Sequence, residues 1–215
     1  MEPAPWQPTA FPADPAAAHQ LREWLGDTSY ALYGVGHDFR GAGLANGDFS
    51  GAWLNEAVLT GVELGSACLY RADLSGADLT GANLAGADLV RAKLDRAVLR
   101  SARLDRADMV KASLHDVDAS GASLRGTRIM GASLYDVDLR GADLTDAVLF
   151  QNTFKVTVDD TTLVRGLTGT VFGPVTVVGD EGPRQLTGPG IEAWIAERGG
   201  QVRVIEPHHT RRTPA

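Results

Sequence analysis

The stretch GADLTGANLAGADLV (76–90) decides the fold, because it repeats one five-residue unit three times. Leucine occupies the fourth place of each unit, and alanine stands two residues before it. Steps of five in both directions give 24 such positions from Phe39 to Phe154, and only Ala119 among them is not a large apolar residue. Alanine fills 17 of the 24 places two residues earlier. The pattern therefore governs more than half of the chain.

A period of five matches neither an α-helix, which repeats at 3.6 residues, nor a strand, which repeats at two. It requires a backbone that turns by a fixed angle every five residues. If each unit forms one side of a square, twenty residues close one coil, and residue n lies below residue n+20. The near-identical stretches ASLHDVD (112–118) and ASLYDVD (132–138) would then be stacked neighbours. Leucine and alanine would point into a narrow interior, and coils would stack about 4.8 Å apart.

These units resemble the pentapeptide repeat family, whose pattern is a central Leu or Phe, Ala two residues before it and Asp or Asn directly before it. The resemblance covers residues 37–154. It implies an all-β solenoid, a right-handed quadrilateral β-helix, which at this length has about six coils. The regions flanking the repeats predict an N-terminal capping helix and a small C-terminal α+β appendix.

Four regions are predicted along the chain. Residues 1–36 hold a proline-rich arm (1–13), flexible or extended, and a helix in DPAAAHQLREWLGD with Asp14 as its N-cap. This helix is interpreted as a lid on the first coil, with partner binding as the alternative. Residues 37–164 form the β-helix, 165–206 the appendix, and 207–215 a disordered tail.

The appendix is predicted from short local patterns. The segment TTLVRG is expected to add one more side to the solenoid, with Leu163 pointing inward. One strand is expected in TVFGPVTVV, a turn in DEGP and a return strand in RQL. A helix follows in GPGIEAWIAERGG, with Ile191, Trp194 and Ile195 on its apolar face, and QVRVIE forms a last strand.

Bulk composition limits the function classes. The net charge of −7 over 215 residues argues against non-specific or direct nucleic-acid binding. The single cysteine, Cys68, cannot form an intramolecular disulfide and is predicted to point outward. The sequence shows neither a signal-peptide pattern nor an apolar run long enough to span a membrane. We therefore expect a cytoplasmic protein without membrane contact.

No catalytic constellation is evident in the sequence. His115 is the only histidine well inside the repeats, and no serine or cysteine nucleophile stands at a persuasive spacing from it. No phosphate-binding loop or zinc pattern occurs, so neither an enzyme nor a cofactor is predicted.

Candidate partner contacts come from outward-pointing charges and one aromatic residue. Asp116, Asp118, Asp136 and Asp138 are expected near one corner, where solvation and hydrogen bonds are favoured over a bound cation as the means of relieving their repulsion. Residues 91–111 form a basic belt of net charge +4, read as a solvated, salt-bridged zone or as a contact for an acidic partner. The predicted contact residues are Asp78, Asp88, Asp108, Asp116, Asp118, Asp136, Asp138, Trp53, Arg100 and Arg103.

The leading functional hypothesis is a non-catalytic protein-interaction module on a rigid solenoid. The family resemblance implies an alternative, a DNA mimic that binds DNA gyrase and protects it from quinolone-type poisons, with a homodimer formed through the C-terminal region. Charge supports mimicry only in part. Duplex DNA of about 29 Å carries roughly 17 negative charges, whereas residues 38–154 contain 16 acids and 12 bases.

Overall fold

Backbone pairing at a separation of twenty residues runs along most of the chain. In a computed structural model, which describes residues 6–205, parallel bridges join Tyr33 to Trp53, Trp53 to Asp73 and Asp73 to Lys93, and the other three sides pair in the same way. The pairing is made by hydrogen bonds such as Leu54 N to Asp73 O at 2.8 Å. The predicted β-solenoid is therefore confirmed, and the predicted tail 207–215 lies outside the described residues.

The regular elements, in chain order, are α1 Pro15–Gly26, β1 Ser113–His115, β2 Arg128–Met130, β3 Ser133–Asp138, β4 Val148–Asp159, β5 Thr168–Phe172, β6 Val175–Gly179, β7 Gly182–Leu186, α2 Pro189–Ala196 and β8 Gln201–Val204. Before β1 each side of the coil is too short to form a regular strand and pairs through single bridges. Among the described helices, none combines the length and apolar character needed to cross a membrane.

Each corner of the coil is a tight turn with one left-handed residue. Two residues follow every large inner residue, and we call them the first and second corner positions. At the second corner position φ is positive, for example 60° at Arg96 and 66° at Gly121. The inner residue's carbonyl accepts a hydrogen bond from the amide three residues on, as from Ala97 N to Leu94 O at 2.9 Å. This arrangement is a type II turn, which requires positive φ at its third residue and favours glycine or asparagine there.

The second corner positions allow a stability prediction. Ser101 has φ of 54°, a conformation that costs a side-chain-bearing residue about 1–2 kcal/mol. We expect Ser101→Gly to raise the free energy of unfolding by about 0.5 kcal/mol, since the extra backbone entropy of glycine offsets part of the gain. Ser75→Gly, at a first corner position, is the matched control and should lower the free energy of unfolding by a similar amount. Urea denaturation measures both, and a loss for Ser101→Gly would contradict the left-handed assignment.

The interior is a stack of the predicted leucine and alanine residues, which are buried. Ala119, the exception in the leucine series, is still buried, and Val117 two residues before it is buried too. Polar residues that replace alanine bond to the backbone of the coil below. Thr127 Oγ1 donates to Leu104 O at 2.9 Å, and Asn152 Nδ2 donates to Ile129 O at 2.6 Å. The polar side chains of Thr127 and Asn152 are therefore satisfied within the stack.

The first coils are capped as predicted. Asp14 Oδ1 accepts a hydrogen bond from Ala17 N at 2.8 Å, which starts α1. Trp24 of α1 packs on Phe49, with ring centroids 5.4 Å apart. Within residues 6–13 of the arm, Ala10 pairs antiparallel with Gly43 on the first coils.

The stack does not end where the repeats end. β5 and β6 pair in parallel with β4, so coil stacking continues across the predicted boundary at residues 164 and 165. These strands add an incomplete coil, and the coil count therefore differs from the prediction of about six. The single strand predicted in TVFGPVTVV is wrong, because Gly173, with φ of 111°, and Pro174 separate β5 from β6.

The inward placement of Leu163 is also wrong. Leu163 is 53% exposed, whereas Val164 is 3% exposed. The sequence separation between paired residues falls from twenty to nineteen where Val137 faces Val156. It returns to twenty where Asp143 faces Leu163. The turn closed by Thr162 N and Asp159 O at 3.2 Å takes up the extra residue. The repeat phase is restored, and that phase places Val164 inward.

The last elements close the C-terminal end. β7 pairs antiparallel with β6, and β8 pairs in parallel with β5. Ile191, Trp194 and Ile195 of α2 are buried. Glu192 Oε1 accepts a hydrogen bond from Val204 N at 2.8 Å, which ties α2 to β8.

Candidate functional site

The polar and charged side chains of this solenoid lie on its outer surface, in columns that run along the solenoid axis. The residue directly before each large inner residue, here called the shoulder position, points outward, as do the two corner positions. Each column contains every twentieth residue, so side chains at n and n+20 are neighbours. Contacts also join n to n+18, as between Arg100 Nε and Asp118 Oδ2 at 2.6 Å. Columns, rather than pockets, are therefore the units of the candidate site.

Most shoulder carboxylates first serve the turn that follows them. Asp88 accepts a hydrogen bond from Val90 N at 2.9 Å, and Asp78 accepts one from Thr80 N at 3.0 Å. Asn83 makes the same bond to Ala85 N at 3.2 Å. This Asx turn satisfies an amide at the corner and explains why Asp or Asn precedes the central leucine. The sequence analysis expected hydrogen bonds of this kind only at the acidic corner, where Asp118 accepts from Ser120 N at 3.1 Å and Asp138 from Arg140 N at 3.0 Å, and not along the whole shoulder series.

These hydrogen bonds favour the ionised carboxylates. The hydroxyl and amide of Ser50 lower the pKa of Asp48 below its ordinary value of 3.8. At Asp78 burial is the largest influence and raises the pKa, but the hydrogen bonds from Thr80 and Thr60 together outweigh it and lower the pKa. At Asp118 burial is again the largest influence, and Ser120 and Arg100 outweigh it.

The lowered pKa values predict a stability loss in acid. A carboxylate whose pKa is lower in the folded chain stabilises the fold above the unfolded pKa, and this stabilisation disappears as pH falls through the folded pKa. We therefore expect a constant melting temperature above about pH 5 and a falling one below 3.8, the ordinary value for Asp78. Calorimetry from about pH 7 to 2.5 measures this. Asp78→Asn keeps the Asx bond and should reduce the slope, and an unchanged slope in this variant would contradict the assignment.

The cations of the basic belt fall into two groups, according to their position in the five-residue unit. Shoulder and first-corner cations are paired, as Lys93 Nζ with Asp73 Oδ2 at 3.3 Å and Arg103 Nη2 with Asp105 Oδ2 at 3.7 Å. Cations at second corner positions have no acidic group within 4.0 Å among residues 6–205. These are Arg71, Arg91, Arg96, Arg106 and Lys111. The salt-bridged reading therefore describes the shoulder and first-corner cations, and a contact between the second-corner cations and an acidic partner stays a prediction.

Three of the four carboxylates at the acidic corner pair with neighbouring cations. Asp118 pairs with Arg100, Asp138 with Arg140 at 2.5 Å, and Asp136 with Lys155 at 2.8 Å. Asp116 lies at a second corner position with φ of 56°. Within the described part of the chain, no group of three or more His, Cys, Asp or Glu side chains is arranged to hold a metal ion.

The predicted contacts Asp78, Asp88, Asp108 and Trp53 lie on three different columns. Asp88 and Asp108 share one column, and Asp78 and Trp53 each lie on another. Asp108 accepts hydrogen bonds from Val110 N at 3.2 Å and from Arg128 Nη1 at 2.9 Å. Trp53 is 55% exposed, and its backbone pairs with that of Tyr33 on the adjacent coil, which is equally exposed. An open cleft of about 430 Å³ beside this aromatic pair is lined by Asn55 and Arg96. The structure thus keeps these residues outward but does not bring them together.

The sequence analysis missed a partner of His115. Its Nε2 lies 2.7 Å from Ser133 Oγ, through the n to n+18 contact. The pair sits beside Tyr135, whose ring centroid is 5.9 Å from the imidazole. The Asp95 carboxylate binds Ser113 Oγ and the His115 amide rather than the imidazole. The contact is exposed, and Asp95 does not orient the His115 ring, so the pair lacks the third group that positions the base in a nucleophilic site.

The sequence analysis also overlooked one column, because it compared residues five apart rather than twenty apart. At the corner that follows Leu69, Leu89 and Met109, the first corner positions carry apolar residues over five successive coils. They are Tyr70, Val90, Val110, Met130 and Phe150. Reading every twentieth residue would have shown it.

Comparisons with known proteins agree with this architecture. The family model for pentapeptide repeats, described as eight copies, matches residues 38–76, 77–116 and 107–146. No curated protein matches the chain. Among solved structures, the chain is similar to the pentapeptide repeat protein Rfr23 from the cyanobacterium Cyanothece 51142, with 22% identity, 67% of this chain and 96% of that chain covered, and a TM-score of 0.42.

Two further solved structures illustrate the range of similar proteins. HetL, a pentapeptide repeat protein involved in heterocyst differentiation regulation from Nostoc sp. strain PCC 7120, shares 24% identity over 72% of this chain and 85% of that chain, with a TM-score of 0.25. QnrB1, a plasmid-mediated fluoroquinolone resistance protein, shares 16% identity over 83% of this chain and 93% of that chain, with a TM-score of 0.34.

Proposed function

Because the chain belongs to the pentapeptide repeat family, we propose that it is a non-catalytic protein-interaction module. Its rigid solenoid holds columns of outward side chains at fixed spacing for a partner protein. The observation that carries this proposal is the division between the interior and the surface. Inner positions are filled by buried apolar residues such as Leu99, which is 1% exposed, whereas the functional side chains point outward.

The surface offers groups that suit protein recognition. Exposed aromatic side chains are frequent anchors of protein interfaces, and Tyr33 and Trp53 provide two of them on adjacent coils. The cations at second corner positions, which have no acidic group within 4.0 Å in the part of the chain that the structure describes, add charge at defined heights along the solenoid. Between residues 39 and 154 the loops between sides span only the two corner residues, too few to build a lid over a substrate.

A second candidate function is mimicry of duplex DNA towards DNA gyrase. It is favoured by shoulder carboxylates without a cation within 4.0 Å among residues 6–205, namely Asp48, Asp78 and Asp88. It is weakened by the pairing of Asp38 with Arg40, Asp118 with Arg100 and Asp138 with Arg140. A supercoiling assay with purified gyrase tests it, and unchanged supercoiling at micromolar protein would eliminate mimicry.

The interaction module is tested with the full chain as bait. A pull-down from a lysate of the source organism should recover a stoichiometric partner, and calorimetry with that purified partner should give saturable binding. Trp53→Ala should weaken binding if the partner uses the aromatic pair, and it does not alter the interior. Failure to recover any partner, together with turnover in an unbiased substrate screen, would overturn the proposal. Light scattering on the same protein tests the predicted C-terminal homodimer.

A further inference from the structure

One corner of the solenoid differs chemically from the other three. We call its first corner positions, Tyr70, Val90, Val110, Met130 and Phe150, the apolar ridge. The equivalent column at another corner is polar throughout and contains Arg40, Thr60, Thr80, Arg100, Ser120 and Arg140. Four ridge residues are half-buried and Phe150 is 45% exposed. A line of apolar side chains over five coils, rimmed by polar groups, is typical of an interaction site.

A line of cations runs beside the apolar ridge. Arg71, Arg91 and Lys111 occupy second corner positions on three successive coils, and we call them the basic column. None of the three has an acidic group within 4.0 Å in the described range 6–205. The Arg71 guanidinium lies 5.2 Å from the centroid of the Tyr70 ring, which links the column to the ridge. Like charges at coil spacing repel each other, so acidic groups on a partner would relieve this repulsion.

The opposite flank of the ridge is already neutralised or engaged. Asp88 accepts a hydrogen bond from Val90 N, and Asp108 accepts from Val110 N and pairs with Arg128. Over these coils the flank keeps one carboxylate with no cation within 4.0 Å among residues 6–205, that of Asp88, against three such cations in the basic column, so the net charge left for a partner is positive. A complementary partner combines apolar side chains with carboxylates on one side of them.

Spacing decides which element of a partner fits. Coils rise by about 4.8 Å, and an α-helix presents a new turn of its apolar stripe every 5.4 Å or so. Over the four steps of the ridge these two spacings drift apart by only about 2.4 Å. A strand lying along the same line repeats its side chains about every 6.8 Å and would drift by roughly 8 Å.

We propose that the apolar ridge and basic column bind an acidic amphipathic helix of a partner protein, lying along the solenoid axis. The helix places its apolar stripe on the ridge and its Asp or Glu residues against Arg71, Arg91 and Lys111. This inference rests on the proposed interaction function and specifies its partner. A lipid surface fits less well, because most ridge side chains are half-buried and Asp88 and Asp108 lie on the neighbouring column.

Peptides with defined charge test the proposal. The probe is a fluorescein-labelled helical peptide of about 18 residues, enough for five turns, with leucines along one stripe and glutamates beside it. A second peptide carries lysines in place of the glutamates. Fluorescence anisotropy with the full chain should show at least about tenfold tighter binding of the glutamate peptide, a difference of about 1.4 kcal/mol. Equal binding of both peptides, or of neither, would overturn the proposal.

Variants locate the surface. Arg91→Glu and Val110→Asp should each weaken glutamate-peptide binding at least tenfold. Arg96→Glu is the matched control, because Arg96 is also a left-handed, unpaired second-corner residue but lies at a different corner. Circular dichroism confirms that each variant is folded, and Arg91→Lys should keep most of the binding. Equal damage from Arg96→Glu and Arg91→Glu would show that general charge, not this ridge, governs binding.

Further experiments distinguish a partner helix from other molecules that could occupy the ridge. Ridge-dependent binding to vesicles with 30% phosphatidylglycerol, or ridge-dependent self-association in light scattering, would overturn the proposal in favour of a membrane or a second copy. A partner recovered by pull-down that binds Arg91→Glu as tightly as the unaltered chain would overturn the helix proposal and leave the interaction module standing.

Discussion

Replacing Leu99 by alanine should lower the free energy of unfolding by about 2–5 kcal/mol, the usual cost of emptying part of a packed core. Leu99 is 1% exposed. Its amide donates to Asp118 O at 2.7 Å, and its carbonyl accepts from Ala102 N at 3.0 Å. Because these bonds fix the coil backbone, the surrounding residues cannot collapse into the space that the leucine leaves.

The adjacent residue provides the control. Val98 occupies a shoulder position and is half-buried on the outer surface. Val98→Ala should cost less than about 1 kcal/mol, as most surface changes do. Urea denaturation followed by far-ultraviolet circular dichroism measures both values. Similar losses for the two variants would contradict the assignment of an inner and an outer face at this side.

Replacing Gly169 by alanine should cost about 3 kcal/mol or more, because it combines backbone strain with a direct overlap. Gly169 has φ of 128°, a conformation almost restricted to glycine. A Cβ atom there would overlap the carbonyl oxygen of Leu149 on the coil below. Since β8 pairs with β5, the change should release both strands together.

Hydrogen exchange resolved by segment measures this release. We expect amides of β5 and β8 to lose protection in Gly169→Ala, while the coils between residues 44 and 140 keep theirs, because repeats depend mainly on their neighbours. Gly182→Ala is the control, since Gly182 has φ of 99° but open space around its α-carbon. Equal loss of protection in the two variants would contradict this account. It would show that the positive φ angle, and not the close approach to Leu149, causes the loss of stability.

The repeat phase predicted the interior because the narrow coil places the same two positions of every five-residue unit inward. It placed Ala119 correctly as an inner residue although alanine is small. It did not predict the left-handed corners, since arginine at residues such as Arg91 and Arg106 hides a conformation that glycine would have signalled. Leu163 was misplaced because a local preference for leucine overrode the phase, which pointed to Val164.

The candidate site was predictable only in part. Outward placement of Trp53 follows from its shoulder position, and its exposure agrees. The structural role of Asp88 depends on a hydrogen bond to an amide two residues away, which a search for carboxylate clusters does not reveal. The apolar ridge requires comparison across coils, because Val90 and Val110 are twenty residues apart and look unremarkable within their own five-residue units.

The stacking at twenty residues, on which the columns depend, can be tested by cross-linking the native thiol. Cys68 is the only cysteine and is free, and it pairs directly with Asp88. Stacked coils hold such residues about 4.8 Å apart, within the roughly 4.4–6.8 Å that a disulfide spans. Mild oxidation of Asp88→Cys should give a complete intramolecular disulfide by mass spectrometry. Asn83→Cys, on the neighbouring side and with the same Asx bond, should stay reduced, and the opposite result would contradict the coil of twenty.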